Sequence, residues 1–139
     1  MELNKELIQL RIDIIEKNVR ELESIVNEGF DKFSGIFRNE LAAKQALLES
    51  IEACVDIANH IIAVKAFRRP TEYKDVFKIL EEEKLIKKEF SLRLQEMAQF
   101  RNLLVHRYAE IETKKIFKIM KEDVKDVKDF VRVVLKFVK

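Results

Sequence analysis

Turn-forming residues are almost missing from this chain: two glycines, Gly29 and Gly35, and one proline, Pro70, serve 139 residues. A fold of strands and hairpins needs such punctuation every ten residues or so. The shortage therefore points to an all-helical protein. The length supports a core that stands without disulfides or metal staples, and one domain over 1–139 is expected.

Apolar periodicity gives the helices. Leu3, Leu7, Leu10 and Ile14, then Val19, Leu22, Ile25 and Val26, recur every three or four residues with charged side chains between them. This predicts a helix of about seven turns closed by Gly29, which tolerates the left-handed backbone of a helix end. "DKFSGIF" reads as a short helical or irregular connection holding Phe30, Phe33 and Phe37 against a bundle.

A second long helix is expected over Asn39 to Ala66. Leu47, Ile51, Cys54, Val55, Ile57, Ala58, Ile61, Ile62 and Val64 would form its buried arc, with Glu49, Glu52, Asp56, Asn59 and His60 opposite. At "RRPTEY" Pro70 breaks the helical ladder and Thr71 is placed to cap the next helix. That shorter helix turns Tyr73, Val76, Phe77 and Leu80 inward. A third long helix starts near Ile86. A last one carries Ile116, Ile119, Met120, Val124, Val127, Val131, Val134 and Val138 on one side and a Lys/Asp lattice on the other. The expected architecture is an antiparallel bundle of four long helices plus a short one.

Several function classes drop out. The lone cysteine, Cys54, falls in a buried arc, and no cysteine pair marks a zinc knuckle. No apolar run reaches the roughly 18 residues of a membrane span, and "MELNKELIQLRID" carries acids and no signal-peptide core. A cytoplasmic protein without a membrane partner is expected. Glu52, Asp56 and His60 repeat every four residues as bundle metal ligands do, but no matching E-x-x-H stands elsewhere; a solvated or dimer-facing polar stripe is the better reading. The basic last helix could suggest a membrane-surface element, but its acids and valine stripe favour the bundle.

The third long helix is unusual. Phe90, Leu94, Met97, Arg101, Leu104 and Tyr108 form a heptad seam in which Arg101 takes a position meant for a hydrophobe. A charge there needs a partner, a ligand or a cleft. Tyr108 lies seven residues on, on the same face; Asn102 and His106 form a second pair, and His106 stands 140° from Arg101 on an ideal helix. The length of arginine, a distorted last turn, or a second copy of the helix across a symmetric dimer would reconcile them. Guanidinium matches phosphate oxygens and imidazole exchanges protons near neutral pH. Together they suffice to cleave RNA, whose own 2′-hydroxyl attacks, without metal or other cofactor. From Lys87 to Lys121 nine bases oppose four acids, although the whole chain is only +2. This local field would attract an RNA backbone.

"RNLLVHRY" is R-x4-H-x-Y and resembles the signature of the HEPN superfamily, within it the HepT branch: ribonuclease toxins paired with a minimal nucleotidyltransferase, MntA. "ELAAKQALLESIEACVDIANHIIA", "RRPTEYKDVFKIL" and "HRYAEIE" are similar to that family's second helix, the short helix after it and the turn after its motif, so the resemblance covers about residues 1–137. It implies Arg101 and His106 as catalytic residues, Asn102 as a supporting group that orients histidine or substrate, and Tyr108 as the acceptor of AMP from an MntA-like antitoxin. It also implies a homodimer whose two motifs line one cleft. The expected activity is metal-independent endonucleolytic cleavage of RNA, not DNA, by a toxin. The alternative is a non-catalytic helical partner that docks a nucleotidyltransferase or nucleotide.

Overall fold

The computed structural model describes residues 2–138. Six helices follow in order: α1 (Lys5–Glu28), α2 (Phe30–Gly35), α3 (Phe37–Val64), α4 (Asp75–Glu82), α5 (Lys88–His106) and α6 (Thr113–Phe137), with a 3-10 turn at Tyr108–Glu110. No strand occurs among the described residues. The all-α bundle of four long helices is as the periodicity requires, with a second short helix, α2.

Polar contacts fix the direction of the first pair. The Asn4 backbone N–H donates to His60 Nε2 at 2.8 Å, Arg11 pairs with Asp56 at 3.1 Å, and Asn18 Nδ2 reaches Glu49 at 3.4 Å. Numbers rise along α1 as they fall along α3, so the two helices run antiparallel. Two of the three acid and histidine rungs once weighed as metal ligands, Asp56 and His60, are thus turned onto α1. Asn4 also caps α1, its Oδ1 accepting from Leu7 N–H at 3.0 Å.

The α1 seam differs from the expected one in its first half. Ile8, Ile12, Ile15, Val19, Leu22 and Ile25 are buried, whereas Leu3, Leu7 and Ile14 lie at the margin and Leu10 is 58% exposed. Two apolar stripes with the same period lie side by side on this helix, and the isoleucine stripe is the one that meets the core. Phe37 is also corrected: it starts α3 rather than bracing the connection, and it is 66% exposed. Phe33 takes the interior place, 5.2 Å from the Phe117 ring, with Phe30 5.5 Å from the same ring. The α3 arc is buried as expected from Leu47 to Ile62, and α6 adds Phe117 and Phe130 to its valine stripe.

With glycine scarce, other residues take the left-handed positions. Gly29 closes α1 at φ 95°, but Ala66 (φ 56°) and Lys84 (φ 63°) end α3 and α4. At both ends a reverse-turn bond follows, Phe67 N–H to Ile62 O at 3.0 Å and Leu85 N–H to Leu80 O at 2.9 Å, the satisfied carbonyls of a Schellman-type closure. Each non-glycine residue there costs on the order of 1 kcal/mol.

Thr71 does not cap α4; Asp75, in its first turn, reaches back to accept from the Thr71 N–H at 2.9 Å and its hydroxyl at 3.2 Å. Arg68 closes this corner with two bonds to Asp75, at 2.7 and 2.9 Å, and two to Glu82, at 2.8 and 3.1 Å. The hydrogen bonds from Arg68, then that from the Thr71 N–H, hold the Asp75 carboxyl down to about 2. Ser91 Oγ, wholly buried, donates to Phe77 O at 3.1 Å and ties α5 to α4.

Candidate functional site

The seam of α5 is real. Leu94, Met97 and Leu104 are buried, Phe90 and Tyr108 are half-buried, and Arg101 sits among them with its side chain 23% exposed. The partner its position demands is Glu52 of α3: Arg101 Nη2 donates to Glu52 Oε2 at 3.0 Å. Nη1 donates to Asn102 Oδ1 at 3.1 Å, and the guanidinium carbon lies 4.7 Å from the centre of the Tyr73 ring. A cation over an aromatic face at this range contributes roughly 0.5–1 kcal/mol.

These contacts hold the guanidinium without saturating it. Among the described residues only two of its N–H groups are bonded, and the buried Nε–H has no partner. A planar fork with spare donors is the arrangement that receives a phosphate. Asn102 is exposed and serves Arg101, not His106. Tyr73, which the sequence assigned only to packing, walls the other side. Its hydroxyl is buried without a partner and is pushed up to about 12, first by burial and then, against the opposing pull of Arg101, by Glu52 and Asp56.

His106 is the last residue of α5 and is exposed. The helix stays regular up to it: Arg107 leaves the helix at φ −140°, its N–H still donating to Leu103 O at 2.8 Å. A distorted last turn therefore does not bring His106 round to Arg101. Within one chain the arginine faces α3 while the histidine stands one turn from the exposed Leu103.

Tyr108 belongs to the same side of the bundle as Arg101, but by a different route from helical spacing. It lies beyond α5, in the 3-10 turn closed by Ile111 N–H to Tyr108 O at 3.1 Å. Lys44 of α3 sits over its ring, 4.6 Å from the centroid. The hydroxyl is buried with no hydrogen bond among the described residues, and burial, then the nearby Glu40, raises it above the ordinary phenol.

Sequence reading missed Glu52, Tyr73 and Lys44 as parts of this site. The one available signal was the charge in the α5 seam, which required a partner without naming it.

The family described as Ribonuclease HepT-like matches residues 15–134. The mRNA nuclease HepT of Shewanella oneidensis is 26% identical over 129 residues, covering 93% of this chain and 96% of that one. The tRNA nuclease HepT of Aphanizomenon flos-aquae is 24% identical over 112 residues, covering 80% of this chain and 76% of that one. Among solved structures, a toxin–antitoxin with AMP-PNP superposes with a TM-score of 0.88 at 25% identity, covering 94% of this chain and 98% of that chain. The tri-AMPylated HEPN toxin of Shewanella oneidensis in complex with its MNT antitoxin gives 0.86 at 26% identity, covering 94% and 97%.

Proposed function

The chain belongs to the HepT-like ribonuclease family of the HEPN superfamily, and from that membership we propose that it is a metal-independent endoribonuclease, a cytoplasmic toxin silenced by a nucleotidyltransferase antitoxin. The observation that carries this reading is the half-satisfied Arg101 guanidinium in the α5 seam.

The chemistry follows from the groups. The 2′-oxygen of RNA attacks phosphorus, the bond to the 5′-oxygen breaks, and a 2′,3′-cyclic phosphate and a 5′-hydroxyl result. Imidazole of His106 moves the proton. Arg101 stabilises the charge gathered on the non-bridging oxygens. The substrate is RNA because DNA lacks the attacking oxygen.

Two copies complete the site. His106 and Arg101 face different ways on one regular helix, and the outward stripe of α5 exposes Leu92 and Leu103. Burying that stripe against its symmetry mate places the histidine of one copy toward the arginine of the other.

The antitoxin acts on Tyr108. Its phenol oxygen attacks the α-phosphorus of ATP, pyrophosphate leaves, and AMP remains on the ring. The hydroxyl is enclosed in the structure, so transfer requires the 108–110 turn to release the ring from Lys44. The added phosphate then opposes RNA in the cleft.

Purified protein should cut a mixed RNA pool in EDTA, leaving cyclic-phosphate ends. The proposal is wrong if wild type cuts nothing or if Arg101→Ala and His106→Ala cut as well as it does. Intact mass after co-expression with an MntA-like enzyme should rise by adenylate in wild type and stay unchanged in Tyr108→Phe.

A further inference from the structure

The Lys/Asp lattice of α6 is not a lattice. Lys114, Lys118, Lys121, Lys125, Lys128, Arg132 and Lys136 recur at intervals of three or four residues, and all seven are exposed. At 100° per residue they share one arc of about 80°, and at 1.5 Å per residue the row is about 33 Å long. The acids lie off this line: Glu122 and Asp129 at its edge, Asp123 and Asp126 buried on the side facing the bundle. The row begins at Lys114, just past the turn that holds Tyr108.

Like charges three and four residues apart oppose helix formation, and solvated helix faces ordinarily alternate sign for that reason. Among the described residues only two of the seven are neutralised by ion pairs, Lys128 with Glu23 at 2.9 Å and Arg132 with Asp129 at 2.5 Å. Beside the row, toward α1, lies a hollow of about 340 Å³ bordered by Lys121, Lys125, Lys128 and Arg132 against Glu23 and Asp129. The Phe117 ring, 5.3 Å from the Lys121 ammonium, is buried, so the row offers charge and no exposed stacking platform for bases.

We propose that this row is a phosphate-tracking ridge that holds the RNA strand away from the cleaved bond. The inference rests on the ribonuclease reading for its ligand and adds a second contact region, outside the motif, that binds without regard to sequence. Phosphate contacts of this kind fix the register of a nucleic acid and read no bases. They release counterions, so affinity falls steeply with salt.

The test uses the full-length chain and a labelled 2′-O-methyl RNA, long enough to span the ridge and unable to be cut. Lys125→Glu with Lys136→Glu should weaken binding about tenfold at low salt and flatten the plot of log affinity against log salt by about 1.4, the share of two phosphate contacts on a single strand. Lys5→Glu with Lys17→Glu, equal in charge but on α1, should stay within about twofold of wild type, because only the ridge makes those contacts. On long cleavable RNA, KM should rise for the ridge variant and kcat should hold. Melting curves establish that both variants are folded, and Lys125→Gln with Lys136→Gln supplies a milder pair with an intermediate effect.

Equal losses in the ridge and α1 variants, or no loss in either, would overturn the ridge. So would normal RNA binding by a ridge variant that no longer holds the nucleotidyltransferase, since the partner would then be that protein. If wild type cuts no RNA yet binding depends on the ridge, the ridge stands and the nuclease reading falls; cutting with an unchanged KM has the reverse meaning.

Discussion

Two arginines of this protein sit opposite carboxylates and are built to different ends. Arg68, its side chain 43% exposed, makes four hydrogen bonds to Asp75 and Glu82 and leaves both carboxylates held. Arg101, its side chain only 23% exposed, makes one bond to Glu52, one to Asn102, and leaves a buried Nε–H unmatched. A joint that only holds a loop uses four of its five N–H donors on carboxylates. Stability alone would not leave a less exposed cation less satisfied, and the difference marks Arg101 as the one with work outside the fold.

The widest separation between the two should appear in activity. Arg101→Ala is expected to lower RNA cleavage by about 10³-fold, the loss of one transition-state charge partner, with melting close to wild type. Arg68→Ala should do the reverse, melting several degrees lower while cutting normally at temperatures where it is folded; parallel melts and cleavage assays would expose a blurred distinction.

Next in size is the Glu52 contact. Glu52→Ala should reduce kcat about tenfold by letting Arg101 swing from its place, whereas Glu52→Gln, which can still accept from Nη2, should stay within about threefold. Equal losses in both would mean that the carboxylate charge, not the positioning, matters.

The Arg68 corner has its own signature in acid. Asp75 is held at about 2 in the fold, below the ordinary carboxylate near 3.9. A lowered value means that the stabilisation is present above about pH 4 and is lost as pH falls toward 2. Asp75→Asn should melt about 5 °C lower near neutrality, and the gap to wild type should close across that acid window in thermal scans. A constant gap would show that the ion pair is not the cause.

Smallest is Tyr108→Phe. Its hydroxyl is buried without a bond, so removing it should change stability by no more than about 0.5 kcal/mol, in the stabilising direction if at all. A large loss in chemical denaturation would reveal a hydrogen bond in solution.

How much the sequence disclosed follows from what each residue depends on. The four long helices and their order came from the shortage of Gly29-type punctuation and from apolar spacing, which are local. The swap of Leu10 for Ile8 and Ile12 did not, because two stripes with one period cannot be ranked without the neighbouring helices. Arg101 was legible as an anomaly in its own helix, and Tyr108 as a residue on its side. Glu52 was legible only as a rung of the Glu52, Asp56 and His60 stripe and Tyr73 only as packing, because the arginine that each of them meets comes from another segment of the chain. Thr71 was misassigned for a related reason: Asp75, doubly held by Arg68, supplies the acceptor from inside the helix.

The most direct trial of two copies sharing each site is to mix the two inert variants, Arg101→Ala and His106→Ala, let subunits exchange, and assay cleavage in EDTA. If arginine and histidine come from different protomers, half of the dimers carry one intact pair, and cutting should return to about a quarter of wild type. A mixture as silent as its components, with subunit exchange verified, would contradict the account.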